Sequence, residues 1–314
     1  MAEMLAFVSQ WAEELGGAQF VVGEGQSVRA MLGDRHVRRM TDLPCAELCA
    51  EIDRLAPVVA HSRESGQVVV EQAGLRLLAL SGGQILEGDH PVVGWETQVA
   101  REMLFLFATY GGSMRLDQAV DRLWPDHDKS KGSSQFHTTL HRLRSVLGSD
   151  AVSYIDGEYR LREGLVAYYD VDVFRSLTRP ARLSDPKARE RALDIYHTEF
   201  LESCEHGWCL NLRAFLEKTL RRVITIDAEY HVSCGELLKA EAMYERLITV
   251  DPTDELGHRG VMWCRANHDD LIGVNWQYHE CERIIGHEIG EPLLEKTRRM
   301  YRMLANGELP SMPF

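Results

Sequence analysis

Between residues 75 and 95 short apolar runs alternate with turn residues: Leu75 to Leu80, Ser81-Gly82-Gly83, Gln84 to Glu87, then Gly88-Asp89-His90-Pro91. This pattern predicts a small antiparallel sheet whose turns are set by glycine and proline. A helix is predicted next, from Glu96 or Thr97 to about Tyr110, with Val99, Met103, Leu106 and Phe107 on one face and Gly111-Gly112 as its stop. Leu116 to Trp124 forms a second short helix ended by Pro125, and Ser133 to Leu147 a third ended by Gly148. Val152 to Arg162 then reads as a two-stranded hairpin around Asp156-Gly157, a dipeptide suited to the positive φ of a tight turn. Sheet, three helices and hairpin follow in the order of a winged helix.

From Asp170 onward the long periodic segments are helical, with Pro180, Pro186, Pro252 and Pro292 at their joints. Leu237, Ala240, Tyr244 and Leu247 recur 34 residues later as Leu271, Val274, Tyr278 and Cys281. That period belongs to tetratricopeptide arrays, where helix pairs bury their faces by stacking. Residues 1–70 carry a fragmentary α/β pattern: a helix over Met4–Leu15, strands at Gln19–Val22 and His36–Met40, and a helix over Ala46–Leu55. The expected fold is therefore mainly α, with a winged-helix DNA-binding domain (75–165) followed by a tetratricopeptide-like domain (170–314). The small N-terminal α/β region (1–70) is expected to act as a cap or dimerisation element, and nothing in it suggests a phosphoacceptor site.

Composition changes this picture little. The 314 residues are 45% hydrophobic and 26% charged, ordinary for a globular protein, and no apolar run reaches membrane-spanning length. Met1-Ala2-Glu3-Met4-Leu5 has no basic region, so the chain is expected to lack a signal peptide and to reside in the cytoplasm. Seven scattered cysteines predict free, buried thiols. Cys45/Cys49 and Cys204/His206/Cys209 lack the second close pair that a zinc site needs, so no metal is expected. The net charge of −13 excludes a uniformly basic nucleic-acid binder, but a binding footprint is a local patch. Residues 75–169 are the least acidic part, at net −2 against −5 before them and −6 after them.

The third helix carries the candidate chemistry. Phe136, Leu140, Leu143 and Leu147 make one narrow apolar stripe, leaving Ser134, Gln135, Thr138, His141, Arg142 and Ser145 on the opposite face. Short polar side chains and an arginine on such a face are suited to base edges in a major groove about 12 Å wide. Lys129 and Lys131, just before the helix, suit phosphates, as do the first-turn amides. Arg160 and Arg162 on the hairpin lie on one face by strand alternation. His137 reads as a boundary packing residue. Alternatively, this polar face is only a solvated one.

Leu116 to Asp126, Phe136 to Gly148, Gly157 to Leu161 and Asp170 to Phe174 resemble the winged helix of the SARP-type (antibiotic-regulatory-protein) regulators, a branch of the OmpR-like group. Tyr196 to Leu201, Trp208, Leu212 to Arg222, Tyr244 to Pro252 and Gly290-Glu291-Pro292 resemble the bacterial transcriptional activator domain that follows it in that family. The resemblance covers roughly residues 75–304. It implies binding to double-stranded promoter DNA at direct repeats, recruitment of RNA polymerase subunits and no cofactor; a homodimer and no membrane partner are expected besides. Where the family places arginines near the start of the first helix, this chain has Trp95-Glu96-Thr97-Gln98, with Arg101 nearby. No nucleotide-binding loop, nucleophile elbow or H-E-x-x-H pair is present, so an enzyme is not expected. Asp126/Asp128 and Asp269/Asp270 read as loop and helix-capping residues. The competing expectation is a protein-interaction module whose winged helix no longer binds DNA. Pairing of its cations with Asp126, Asp128, Asp150 or Glu158 would favour that reading.

Overall fold

The computed structural model describes residues 74–310. The helices and strands expected between residues 4 and 55, with Cys45 and Cys49, lie outside the described residues. The described residues belong to one compact unit.

Strands β1 (Leu75–Leu78), β2 (Gln84–Glu87) and β3 (His90–Pro91) form the expected antiparallel meander. Helix α1 (Gln98–Thr109) follows, capped by Thr97, and a two-residue strand β4 (Ser113–Met114) leads into α2 (Leu116–Leu123). Helix α3 (Lys129–Leu147) starts four residues earlier than the apolar stripe suggests, because Asp128 caps it by accepting from the Lys131 amide at 2.9 Å. Strands β5 (Val152–Ile155) and β6 (Glu158–Leu161) form the hairpin. Asp156 and Gly157 take φ of 53° and 85°, the two positive values of a type I′ turn.

Two strands were not legible in the pattern. β4 pairs with β6, making the wing three-stranded in the order β4-β6-β5. β7 (Val166–Tyr169) pairs in parallel with β1, Leu77 opposite Tyr169, and extends the first sheet to β3-β2-β1-β7.

The remainder is helical: α4 (Asp170–Leu177), α5 (Pro186–Ile195), the long α6 (Gly207–Ser233), α7 (Leu237–Val250), α8 (Glu255–Asn267), α9 (Leu271–Cys281), a π-helical segment Glu282–Ile289, and α10 (Glu295–Ala305). The 34-residue repeat maps onto α7 and α9, the first helices of two successive pairs. Ala240, Tyr244, Leu247, Val274 and Cys281 are buried as the repeat requires, whereas Leu271 is 51% exposed. Gly260 in α8 lets the two helices touch, since a Cβ there would lie 2.2 Å from Tyr244 Cγ. Asp270 caps α9 through the Gly273 amide.

One hydrophobic core runs from the first sheet through α1–α3 and on to Leu220, Val223 and Ile224 of α6. At this junction Asp170 is 1% exposed, and its two carboxylate oxygens accept the amides of Ala79 and Leu80 at 2.9 and 2.8 Å. The carbonyl of Leu80 accepts the amides of His197 and Thr198, and that of Ala79 accepts Leu201 N–H. Arg101 donates from Nη2 to Gly83 O at 2.5 Å. These bonds satisfy the backbone of a buried turn and hold winged helix and helical domain in a fixed relation.

The expectation of free thiols is overturned for one pair. Cys204 and Cys209 form a disulfide, because the turn into α6 brings their Cα atoms to 6.3 Å. Cys264 and Cys281 are free and buried, and burial pushes both thiols up to about 12. Cys234 is free and exposed. Among the described residues no helix is long and apolar enough to cross a membrane.

Candidate nucleic-acid interface

Helix α3 is oriented from its buried side. Phe136, Thr139, Leu140 and Leu143 are buried and Leu147 is half-buried, so the stripe faces α1 and α2. Gly132 sets the approach of α2, since a Cβ there would lie 2.3 Å from Val120 Cγ1. On the other side the wing is pinned to α3. The Phe136 and Tyr159 ring centroids are 4.6 Å apart, and Arg144 donates from Nε and Nη2 to Val152 O at 3.1 and 2.6 Å. His137 is exposed but lies edge-on to Phe136 and Tyr159, a boundary position.

The face away from the core carries Ser134, Gln135, Thr138, His141 and Ser145, all exposed, with Arg142 half-buried among them. Thr138 Oγ1 donates to Ser134 O at 3.0 Å and Ser145 Oγ to Arg142 O at 2.7 Å. Their oxygens therefore remain available as acceptors. Gln135 and His141 have no hydrogen-bond partner among the described residues. The wing presents Tyr154, 63% exposed, and Ile155 beside its turn.

The basic residues are placed less simply than their spacing suggests. Lys129 and Lys131 lie within the first turn of α3 rather than before it, both exposed and without an ion-pair partner among the described residues. The Lys131 amide, now in the first turn, is taken by the Asp128 carboxylate. Each arginine of the expected footprint has a carboxylate beside it. Arg142 Nε is 3.2 Å from Glu96 Oε2, Arg160 Nη2 is 3.2 Å from Glu158, and Arg162 Nη1 is 2.5 Å from Asp150. The Arg162 guanidinium holds the Asp150 carboxyl below the usual range. Arg101, the basic residue nearest the start of α1, points to the Gly83 carbonyl at the domain junction and takes no place on this face.

Sequence reasoning missed two contributors. Arg144 falls on the side of α3 towards the wing, and no local pattern announces its carbonyl partner. Glu96 stands out in the sequence only as an acid where the resembled family is basic.

Fold and surface together define a winged helix joined directly to an all-helical domain. Residues 169–304 match the family described as bacterial transcriptional activator domain. A winged helix leading into this domain is the SARP-type architecture that the sequence resembles. Among solved structures the fold is similar to Mycobacterium tuberculosis EmbR in complex with a low-affinity phosphopeptide, with a TM-score of 0.57 and 16% identity. The match covers 76% of this chain and 66% of that one, just under two thirds of its length. No curated protein matches the chain.

Proposed function

We propose that the chain is a non-enzymatic, sequence-specific DNA-binding regulator that reads the major groove with α3. The observation that carries this reading is the row of exposed Ser134, Gln135, Thr138, His141 and Ser145 with the half-buried Arg142, flanked by Lys129 and Lys131 at one end and by the wing. Thr138, His141 and Arg142 face base edges. Lys129, Lys131, Arg160 and Arg162 contact the backbone. The domain after the winged helix recruits RNA polymerase subunits at the promoter, and residues 1–70 support a homodimer.

A second reading has a specific observation in its favour. Glu96, Glu158 and Asp150 pair with the three arginines, as expected of a winged helix that has become a protein-interaction module. Exposed ion pairs are worth no more than about 1 kcal/mol each, however, so a phosphate can replace a carboxylate at small cost. Lys129 and Lys131 need no such exchange.

The test is binding of the full chain to duplex DNA across a salt titration. The DNA reading expects affinity to fall with a log–log slope near −0.9 per phosphate contacted. Arg142→Ala should weaken specific binding by about 1–3 kcal/mol. An affinity unchanged in that variant removes Arg142 from the site. No binding at low salt favours the protein-interaction module.

A further inference from the structure

Resting on the DNA reading of α3, we infer that Glu96 is a positioning residue: it holds Arg142 ready for a base edge and withholds it from phosphate. The three arginine–carboxylate pairs of the interface differ in which nitrogen is engaged. Asp150 and Glu158 meet Arg162 and Arg160 at a terminal Nη atom, on the outer edge from which an arginine reaches a ligand. Glu96 meets Arg142 at Nε, the inner edge of the guanidinium. Neither Nη of Arg142 donates a hydrogen bond among the described residues, which leaves the outer Nη1/Nη2 fork free to donate, with Thr138 and His141 on the same polar face of α3.

That fork presents the two parallel donors that guanine O6 and N7 accept. A free arginine gives up rotamer freedom when it docks on a base. A carboxylate that already restrains the guanidinium removes part of that loss before DNA arrives. The same carboxylate acts against the wrong ligand, because a phosphate reaching for Arg142 also approaches the negative charge of Glu96. Like-charge juxtaposition of this kind discriminates between partners. Glu96 is placed for both roles by the backbone, since it immediately precedes Thr97, the residue that caps α1. It thus lowers affinity for arbitrary DNA while sharpening discrimination at one base pair.

The experiment uses the full chain and a duplex selected by the wild type from a randomised pool. Affinities for that duplex, its single-base-pair variants and poly(dI-dC) are measured against salt for wild type, Glu96→Gln, Arg142→Ala and the double variant. Glu96→Gln should tighten binding to poly(dI-dC) by roughly threefold or more and steepen its salt slope by about 0.9. It should also reduce discrimination at one base pair by roughly three- to fivefold. In the Arg142→Ala background it should leave discrimination unchanged. A merely structural role would move both affinities the same way. Equal shifts, no shift, or a discrimination effect that persists without Arg142 overturns the inference while DNA binding itself stands. If the wild type selects no duplex and binds none at low salt, the DNA reading fails and the role of Glu96 falls with it.

Discussion

Gly260→Ala is a direct probe of how the helical domain is packed. The added Cβ would lie 2.2, 2.3 and 2.4 Å from Cγ, Cδ1 and Cδ2 of Tyr244. Non-bonded carbons settle at about 3.5–4.0 Å, so α7 and α8 must part by more than about 1 Å or the ring must leave. Neither is easy. Tyr244 is fully buried, and its hydroxyl already lacks a hydrogen-bond partner. Overpacking of this kind costs about 1–3 kcal/mol, and more where the surroundings cannot yield. Against it, alanine gains about 1 kcal/mol over glycine in a helix interior. Because neither can yield easily, the upper part of that range applies and the expected net effect is a loss of about 1–2 kcal/mol, larger if Tyr244 is expelled, since burying a side chain of this size is worth about 1.5–3 kcal/mol. Urea denaturation should show a lower midpoint at unchanged slope. In a Tyr244→Leu background the same substitution should cost less, because the two sites share one contact. A Gly260→Ala protein as stable as the wild type, or more so, would refute the close contact between the helices.

Two further outcomes are expected. Gly132→Ala places a Cβ 2.3 Å from Val120 Cγ1 and should both destabilise the protein by about 1–3 kcal/mol and weaken DNA binding by tilting α3. Partial recovery of both in Gly132→Ala/Val120→Ala would establish the cause, and an unchanged thermal midpoint in the single variant would exclude it. Burial pushes the Asp170 carboxyl up to about 6, outweighing the amides of Leu80 and Ala79 that favour its ionised form. A folded-state value above the ordinary 3.8 means that the native protein holds this proton when the unfolded chain has released it. This contribution to stability is therefore full below about pH 4 and lost as pH rises through 6. The stability of the wild type relative to Asp170→Asn should fall by at most about 3 kcal/mol across that window. A difference that is flat from pH 4 to 6.5 contradicts the assignment.

The polar row on α3 was readable because a helix repeats every 3.6 residues. Once Phe136, Leu140 and Leu143 are assigned to the core, Ser134, Thr138, His141 and Arg142 have only the other side to occupy. Asp156-Gly157 announced its hairpin because few other dipeptides accept positive φ at both positions. The start of α3 was misplaced because apolar periodicity says nothing about a polar first turn. There the Asp128 cap, rather than burial, decides where the helix begins.

By itself, the sequence determined what depends on neighbours along the chain: the helices, the wing turn, the 34-residue repeat of Tyr244 and Tyr278, and the identity of the polar face. Only the tertiary structure decided what depends on partners far away in sequence. β7 is a strand because β1, about 90 residues earlier, offers it a ladder. Arg101 serves the domain junction because Gly83 O lies within its reach. Cys204 and Cys209 are bonded because the turn into α6 brings them together. Arg142 stands beside Glu96 because the fold brings the residue before the α1 cap to 3.2 Å from its Nε. Periodicity encodes which side of an element is buried, but it carries no information about which side chain arrives from across the fold. That is set by three-dimensional packing, and with it the charge of the surface that DNA would meet.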